Sequence, residues 1–363
     1  HWASCSILKP IERIYIYIYI NSLLNRKQLV EFKGSRSSLR DISCGVPQGS
    51  ILGPLLFIIY INDLLKASSL VEFLLFADDT SIFISGNCLH DLISSMNNEL
   101  VGIDEWFRSN KLSLNMDKTN YILFRARHKS SHCDNFLNLN GCSIRCVSSL
   151  KFLGVVIDEH LDWSKHISFI ESKISKNICV IYRISKFVDK KILKLLYYSL
   201  IYPYLTYCNI VWAANYPTKL RGLHILQKKV IRIIFHLPYR ASTGPTFAAN
   251  ELLNIYQLNK FQTCLFMSKY DGGDLPNVFV HMFRKNSDIH SFTLRSSNNY
   301  RSELSVTTFK GFSICCRGPR LYNSLSSHLK TIKSTSLFKI CLKSFILLSN
   351  WIFLPFSYRI VLT

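Results

Sequence analysis

With 363 residues, 48% of them hydrophobic, the chain can bury sizeable cores, which excludes a disordered polypeptide and a disulfide-stapled miniprotein. Its 44 Lys and Arg against 23 Asp and Glu leave a net charge of +21. A core gains nothing from that excess, and a solubility surface would mix both signs, so the surplus points to a polyanionic partner, nucleic acid above all.

The chain opens on His1 rather than Met and reads as a fragment. Residues 1–10 lack the charged start and apolar stretch of a secretory signal. Residues 14–20 alternate Ile and Tyr, the period of a strand. The same tract is what a repeated AT dinucleotide encodes, so residues 1–20 read as a non-homologous junction and carry no functional argument.

Residues 21–40 are basic and mixed. Residues 45–54 (Gly-Val-Pro-Gln-Gly-Ser-Ile-Leu-Gly-Pro) form a turn-rich loop. Pro54 then suits the first turn of a helix running to about Leu65. That helix is apolar almost all round and is expected to be buried. Residues 71–76 and 81–84 read as buried strands of a hairpin with Asp78 and Asp79 at its tip. Residues 91–107 have an amphipathic helical pattern, with Leu92, Met96, Leu100, Ile103 and Phe107 at helical spacing. A turn at 115–118 leads into a strand over 119–124, and another short strand, broken by Gly154, spans 150–157.

From residue 167 the pattern turns helical: 167–185, 190–200, 220–236 and 248–269, with a closing helix over 335–348. Residues 278–323 are less regular, and no internal repeat is present. The tail, 344–362, is apolar, but Asn350, Pro355 and Arg359 argue against a membrane span. The 12 cysteines lie in apolar segments without regular spacing (Cys44, Cys88, Cys179, Cys208, Cys264), and read as reduced, buried thiols of an intracellular protein.

Three clusters bear on chemistry. Adjacent strand residues face opposite ways, so Asp78 and Asp79 can share one ion only where the turn distorts the alternation. Carboxylates this close repel unless a cation relieves them, and hard oxygen donors suit Mg2+. Taken alone, the pair reads equally as an Asp-rich surface turn. His128, His132, Cys133, Cys142 and Cys146 are spaced irregularly for zinc and read better as a thiol-containing hairpin. Tyr197, Tyr198, Tyr202, Tyr204 and Tyr207, near Lys190, Lys191 and Lys194, could stack bases, but helical spacing more often means core.

The ordered set is more specific than any single motif. It comprises Asn25-Arg26-Lys27-Gln28, the loop 45–54, Phe76-Ala77-Asp78-Asp79, the Lys-Thr element at 115–119, and Lys151-Phe152-Leu153-Gly154-Val155. It resembles the reverse transcriptases of non-LTR retrotransposons. Ile61-Asn62-Asp63-Leu64, Leu161-Asp162-Trp163 and His166 resemble their Jockey-like branch. The resemblance is strong over 21–163 and weaker to about residue 348.

It implies an α+β chain. Residues 21–165 would be a partial palm, an antiparallel sheet with helices, of a right-hand polymerase. Residues 166–348 would be a helical thumb-like region and 349–363 a tail. It implies RNA-directed DNA synthesis on an RNA template and DNA primer with deoxynucleoside triphosphates, at nuclear DNA and away from membranes. Asp78 and Asp79 would ligate Mg2+ in a two-metal phosphoryl transfer. Gly45, Pro47, Gln48 and Gly49 would lie against nucleotide and template, Lys118 would act on pyrophosphate, and Phe152, Leu153 and Gly154 would grip the primer. The family also needs an aspartate before the Asn-Arg-Lys-Gln segment. None precedes Asp41, and Glu12 and Glu31 do not fit its place. The fingers and any endonuclease are missing as well. The chain alone is therefore expected to lack polymerase activity. The competing readings are a non-catalytic nucleic-acid-binding relic and a membrane-associated protein.

Overall fold

The computed structural model describes residues 24, 26–42, 45–46, 49–126, 137–289, 297–305 and 307–348. Chain contacts group residues 1–121 with 132–146 in one compact unit, and 122–131 with 147–363 in a second.

In the first unit, β1 (Lys27–Gln28) pairs antiparallel with β4 (Arg40–Asp41), and between them β2 (Glu31–Phe32) pairs with β3 (Ser35–Arg36). Helix α1 (Leu52–Ile61) is followed by a hairpin of β5 (Glu72–Phe76) and β6 (Asp79–Phe83). Helix α2 spans Leu89–Ser109. A three-stranded sheet closes the unit: β7 (Asn120–Tyr121) runs parallel to β9 (Cys142–Cys146), and β8 (Leu137–Leu139) runs antiparallel to β9.

The core is built on one stripe of α2. Met96, Leu100, Ile103 and Phe107 are buried, against Leu137, Leu139 and Ile144 of the sheet. Burying each such side chain contributes about 1.5–3 kcal/mol.

Helix α1 departs from expectation. It is not buried all round: Leu55, Ile58, Ile59 and Tyr60 are exposed. A helix without a polar face gives no sign of which side turns inward. Here only Gly53 and Ile61 are buried, with Phe57 packed against the same core, one line at i, i+4, i+8. The hairpin strands are likewise half-buried rather than buried. Phe73, Leu75 and Ile82 lean on the core, while Leu74, Phe76 and Phe83 stay exposed.

The second unit opens with a hairpin of β10 (Ser149–Phe152) and β11 (Val155–Asp158). The stretch read as one broken strand is thus two strands. Leu153 (φ 43) and Gly154 (φ 86) supply the two positive dihedrals of a type I′ turn. Helices follow: α3 (Ser164–Ile184), α4 (Lys190–Leu200), α5 (Tyr202–Thr206), α6 (Asn209–Trp212), α7 (Pro217–Ile234), α8 (Gly244–Ala249) and α9 (Ile255–Asp271). After them come α10 (Thr308–Phe312), α11 (Ile314–Asn323), α12 (Ser327–Lys330) and α13 (Thr335–Leu348). The isoleucine stripe of α3 (Ile167, Ile170, Ile174, Ile178, Ile181) packs in one core with Leu220, Leu223, Val230 and Ile234 of α7.

The single helix expected over 248–269 is two. Asn254 is the reason: its side chain accepts from the amides of Tyr256 and Gln257 (3.1 and 3.0 Å), and the Gln257 side chain accepts from the Asn254 amide at 3.0 Å. That capping box starts a new helix. Tyr197 is core rather than a stacking platform. It is 1% exposed, with its hydroxyl taking a 2.9 Å hydrogen bond from Gln227.

Among the described residues no helix is long and apolar enough to cross a membrane. Of the cysteines expected to be buried, Cys264 is, whereas Cys88, Cys179 and Cys208 are exposed, because an apolar segment still leaves one side to solvent; Cys44, the Ile-Tyr tract and residues 349–363 lie outside the described residues.

Candidate functional site

The hairpin tip is set by register. Phe76 pairs with Asp79 and Leu75 with Thr80, leaving a two-residue loop of Ala77 and Asp78. Primed hairpin turns need a positive φ at the first loop position, and Ala77 adopts 51° there. A Cβ-bearing residue in that region carries about 1–2 kcal/mol of strain. The turn interrupts the strand alternation between Asp78 and Asp79. Both carboxylates are exposed, and neither makes an ion pair or side-chain hydrogen bond among the described residues. Asp79 lies on the outward face of the ribbon beside the exposed Phe76. Among the described residues no group of three His, Cys, Asp or Glu could hold a metal ion.

Gly45 (φ 77) and Gly49 (φ 82) both use the left-handed region, and a Cβ built on either meets no atom within 4 Å. Arg26 donates to the Gly45 carbonyl, tying the loop to the strand-paired basic segment. Pro47 and Gln48 lie outside the described residues. Lys118 is exposed on a turn organised by Asn115, whose side chain accepts from the Lys118 amide at 3.2 Å and whose carbonyl accepts from the Thr119 hydroxyl at 2.8 Å. No hydrogen bond or ion pair joins Lys118 to Asp78 or Asp79 among the described residues.

Phe152, Leu153 and Gly154 form the β10–β11 turn, which groups with the helical unit. Tyr207, singled out in the sequence as a stacking or core residue, secures it in a role its spacing did not suggest. The Tyr207 hydroxyl donates to the Leu153 carbonyl at 2.6 Å, and its ring stands 3.3 Å from where a Gly154 Cβ would sit. No local signal links positions so far apart in the chain. Tyr207→Phe is expected to lower stability by about 1 kcal/mol. Urea denaturation checks this; an unchanged midpoint would mean the bond contributes nothing.

His166 also has a defined place. Its Nδ1 accepts from the Val156 amide at 3.2 Å, its Nε2 is buried without a partner, and its ring lies against Phe169 and Trp212. Burial lowers its pKa from the ordinary 6.5. The folded state thus holds the imidazole neutral, and the unfolded state binds the extra proton. The associated stability is complete above 6.5 and is lost as pH falls below it. The melting temperature of the wild type is expected to drop over that range. His166→Gln should flatten the drop, and a drop of the same size in the variant would exclude His166 as its cause.

Cys142 and Cys146 stand at opposite ends of β9, roughly 13 Å apart at strand rise, too far to share a zinc ion. His128, His132 and Cys133 lie outside the described residues.

Residues 6–157 match the family described as "Reverse transcriptase (RNA-dependent DNA polymerase)", a segment that contains the acidic hairpin, the glycine loop, Lys118 and the Phe152–Gly154 turn. Those residues, less than half of the chain, are thus similar to a reverse-transcriptase domain, and the similarity to polymerases of mobile elements extends over about 60% of the chain. It is 27% identical over 242 residues to "RNA-directed DNA polymerase from mobile element jockey" of Drosophila melanogaster, covering 63% of this chain and 26% of that protein. It is 25% identical over 229 residues to "Probable RNA-directed DNA polymerase from transposon X-element" of the same organism, covering 61% and 25%. It is 31% identical over 137 residues to the Pol polyprotein of the R1 element of Bradysia coprophila, covering 37% and 14%. The chain thus spans about a quarter of the length of the first two relatives. No solved structure matches it.

Proposed function

We propose that the chain is part of an RNA-directed DNA polymerase in which Asp78 and Asp79 hold Mg2+ and the first unit serves as a partial palm. The observation that carries this reading is the pair of adjacent, exposed carboxylates without cationic partners, on a hairpin tip inside the matched segment. Two hard oxygen donors suit a hydrated Mg2+, which is commonly held by one or two carboxylates plus substrate phosphates. They are too few for a full two-ion cradle, and no third carboxylate joins them among the described residues. Asp78 and Asp79 would hold Mg2+, which would supply the positive charge that activates a primer 3′-hydroxyl and steadies pyrophosphate as it leaves.

The remaining roles belong to the chain itself. The open, left-handed glycines 45 and 49 let a nucleotide and its template base approach the backbone, with Pro47 and Gln48 in the same loop. Lys118 offers a positive charge and a proton to pyrophosphate. Phe152, Leu153 and Gly154 hold the primer end, in a turn whose carbonyl Tyr207 keeps in place. The second unit acts as a thumb, and the polymerase works at nuclear DNA. That no third carboxylate stands beside the pair among the described residues favours one second reading, a nucleic-acid-binding relic without catalysis.

Joining the chain to the segment that precedes the matched region in the jockey polymerase separates the two. The reading expects RNA-templated extension from the joined protein and its loss with Asp78→Asn. No extension at all would leave the relic, and extension indifferent to that substitution would overturn the role given to Asp78.

A further inference from the structure

Helices α7, α8 and α9 and the end of α13 enclose a cavity of about 520 Å³ in the second unit, outside the matched segment. Lys228, Arg232 and Arg240 line it, and no acidic residue does. None of these cations forms an ion pair among the described residues. Arg232 donates its Nε to the Ala241 carbonyl at 3.1 Å, which fixes the guanidinium and leaves its outer N–H groups to the cavity. The wall also holds two orphans: Thr243, 2% exposed, has no partner for its hydroxyl, and His224 has none for Nδ1. A hydroxyl buried without a partner destabilises the fold. In Asn254 and Gln257, which complete the lining, the side-chain oxygens are already used in the α9 capping box, so what remains to them are donors. The lining is therefore rich in donors and cations, and poor in acceptors.

We propose that this cavity seats phosphate groups of a nucleic-acid strand. Donors and fixed cations without a carboxylate select an anion, and a guanidinium fork suits phosphate. A strand fits better than a lone ion because the charge runs on beyond the cavity. Arg221, His224, Lys228 and Arg232 follow at i, i+3, i+7 and i+11 on α7, a line of roughly 16 Å at helix rise. Phosphates of one duplex strand recur at roughly 3.4 Å of rise, so such a line meets several. Burial, and secondarily Lys228, push His224 down to about 4, so it adds a neutral hydrogen-bonding atom rather than charge. The site shares with the polymerase reading only the class of partner and stands without Asp78 or Asp79.

The test is binding of a labelled DNA oligonucleotide to the full chain across a salt series, without Mg2+ or nucleotides, so that failure of the hairpin reading cannot affect it. Lys228→Ala/Arg240→Ala is expected to weaken binding by about tenfold or more and to reduce the salt slope by about two. Lys190→Ala/Lys191→Ala removes equal charge from exposed positions on α4 and should do markedly less. Thr243→Val should weaken binding several-fold while leaving the melting temperature unchanged or raised, since it removes a hydroxyl the fold leaves unpaired. Equal losses in the two lysine-containing pairs, or unchanged affinity in both cavity variants, would overturn the proposal. So would inorganic phosphate that raises the melting temperature of the wild type but not of the cavity pair, while oligonucleotide affinity stays the same in both.

Discussion

Primer extension by this chain alone, on a ribonucleotide template with Mg2+, is expected to stay on the order of 10³-fold or more below that of the joined protein. Two-ion phosphoryl transfer would need enough carboxylates to hold one ion for the attacking oxygen and another for the leaving oxygen. Asp78 and Asp79 supply two carboxylates at one hairpin tip, and no third approaches among the described residues. One lost ligand removes about 4 kcal/mol of transition-state stabilisation on this view, and 1.36 kcal/mol corresponds to tenfold in rate. Asp78→Asn should then change nothing in the chain alone, because nothing measurable is left to lose. Extension that this substitution abolishes would show that the pair suffices.

Asp158→Ala is expected to lower the stability of the second unit by about 3 kcal/mol, a large share of the 5–15 kcal/mol typical of a domain. Asp158 is 5% exposed and ends β11. Its carboxylate accepts from the amides of His160 and Asp162 at 3.1 Å each and of Trp163 at 2.9 Å. The loop it organises contains Leu161 at φ 51 and Trp163 at φ 64, two side-chain-bearing residues in the left-handed region. Each costs about 1–2 kcal/mol, offset here by charge-assisted hydrogen bonds. Removing the carboxylate strands three amides and keeps the strain. Asp158→Asn retains one acceptor oxygen and should lose roughly half as much. Urea denaturation followed by tryptophan fluorescence reads both variants; a loss below about 1 kcal/mol for Asp158→Ala would mean that water replaces the carboxylate.

What could be read from the sequence was whatever local chemistry decides. The hairpin around Asp78 and Asp79 was visible because β-rich runs flank a short acidic turn. The α2 stripe was visible because its spacing repeats every three or four residues. The order of motifs added the family, which the match over 6–157 bears out. Features that depend on distant partners stayed hidden. Nothing near Leu153 announces Tyr207, and nothing near Val156 announces the His166 imidazole. The role of Asp158 has no local signature, because its three amides converge only once the loop has turned. The exposure of α1 was misread for the opposite reason: a helix apolar on every side carries no directional information. The break at Asn254 was legible in principle, since Asn-x-x-Gln is a capping signature, and the hydrophobic period running across it concealed the stop.

The β5–β6 ribbon has no interior strand. Among the described residues each strand pairs on one side only, leaving both margins without a strand partner. A lone ribbon of this kind twists and bends more readily than a wider sheet. Its twist would set how far the Asp79 carboxylate stands from that of Asp78, which makes their separation a soft coordinate. Another strand added along either margin would stiffen the ribbon and hold that separation, so if the tip holds an ion as proposed, its affinity should respond to edge pairing even where the new strand brings no ligand of its own.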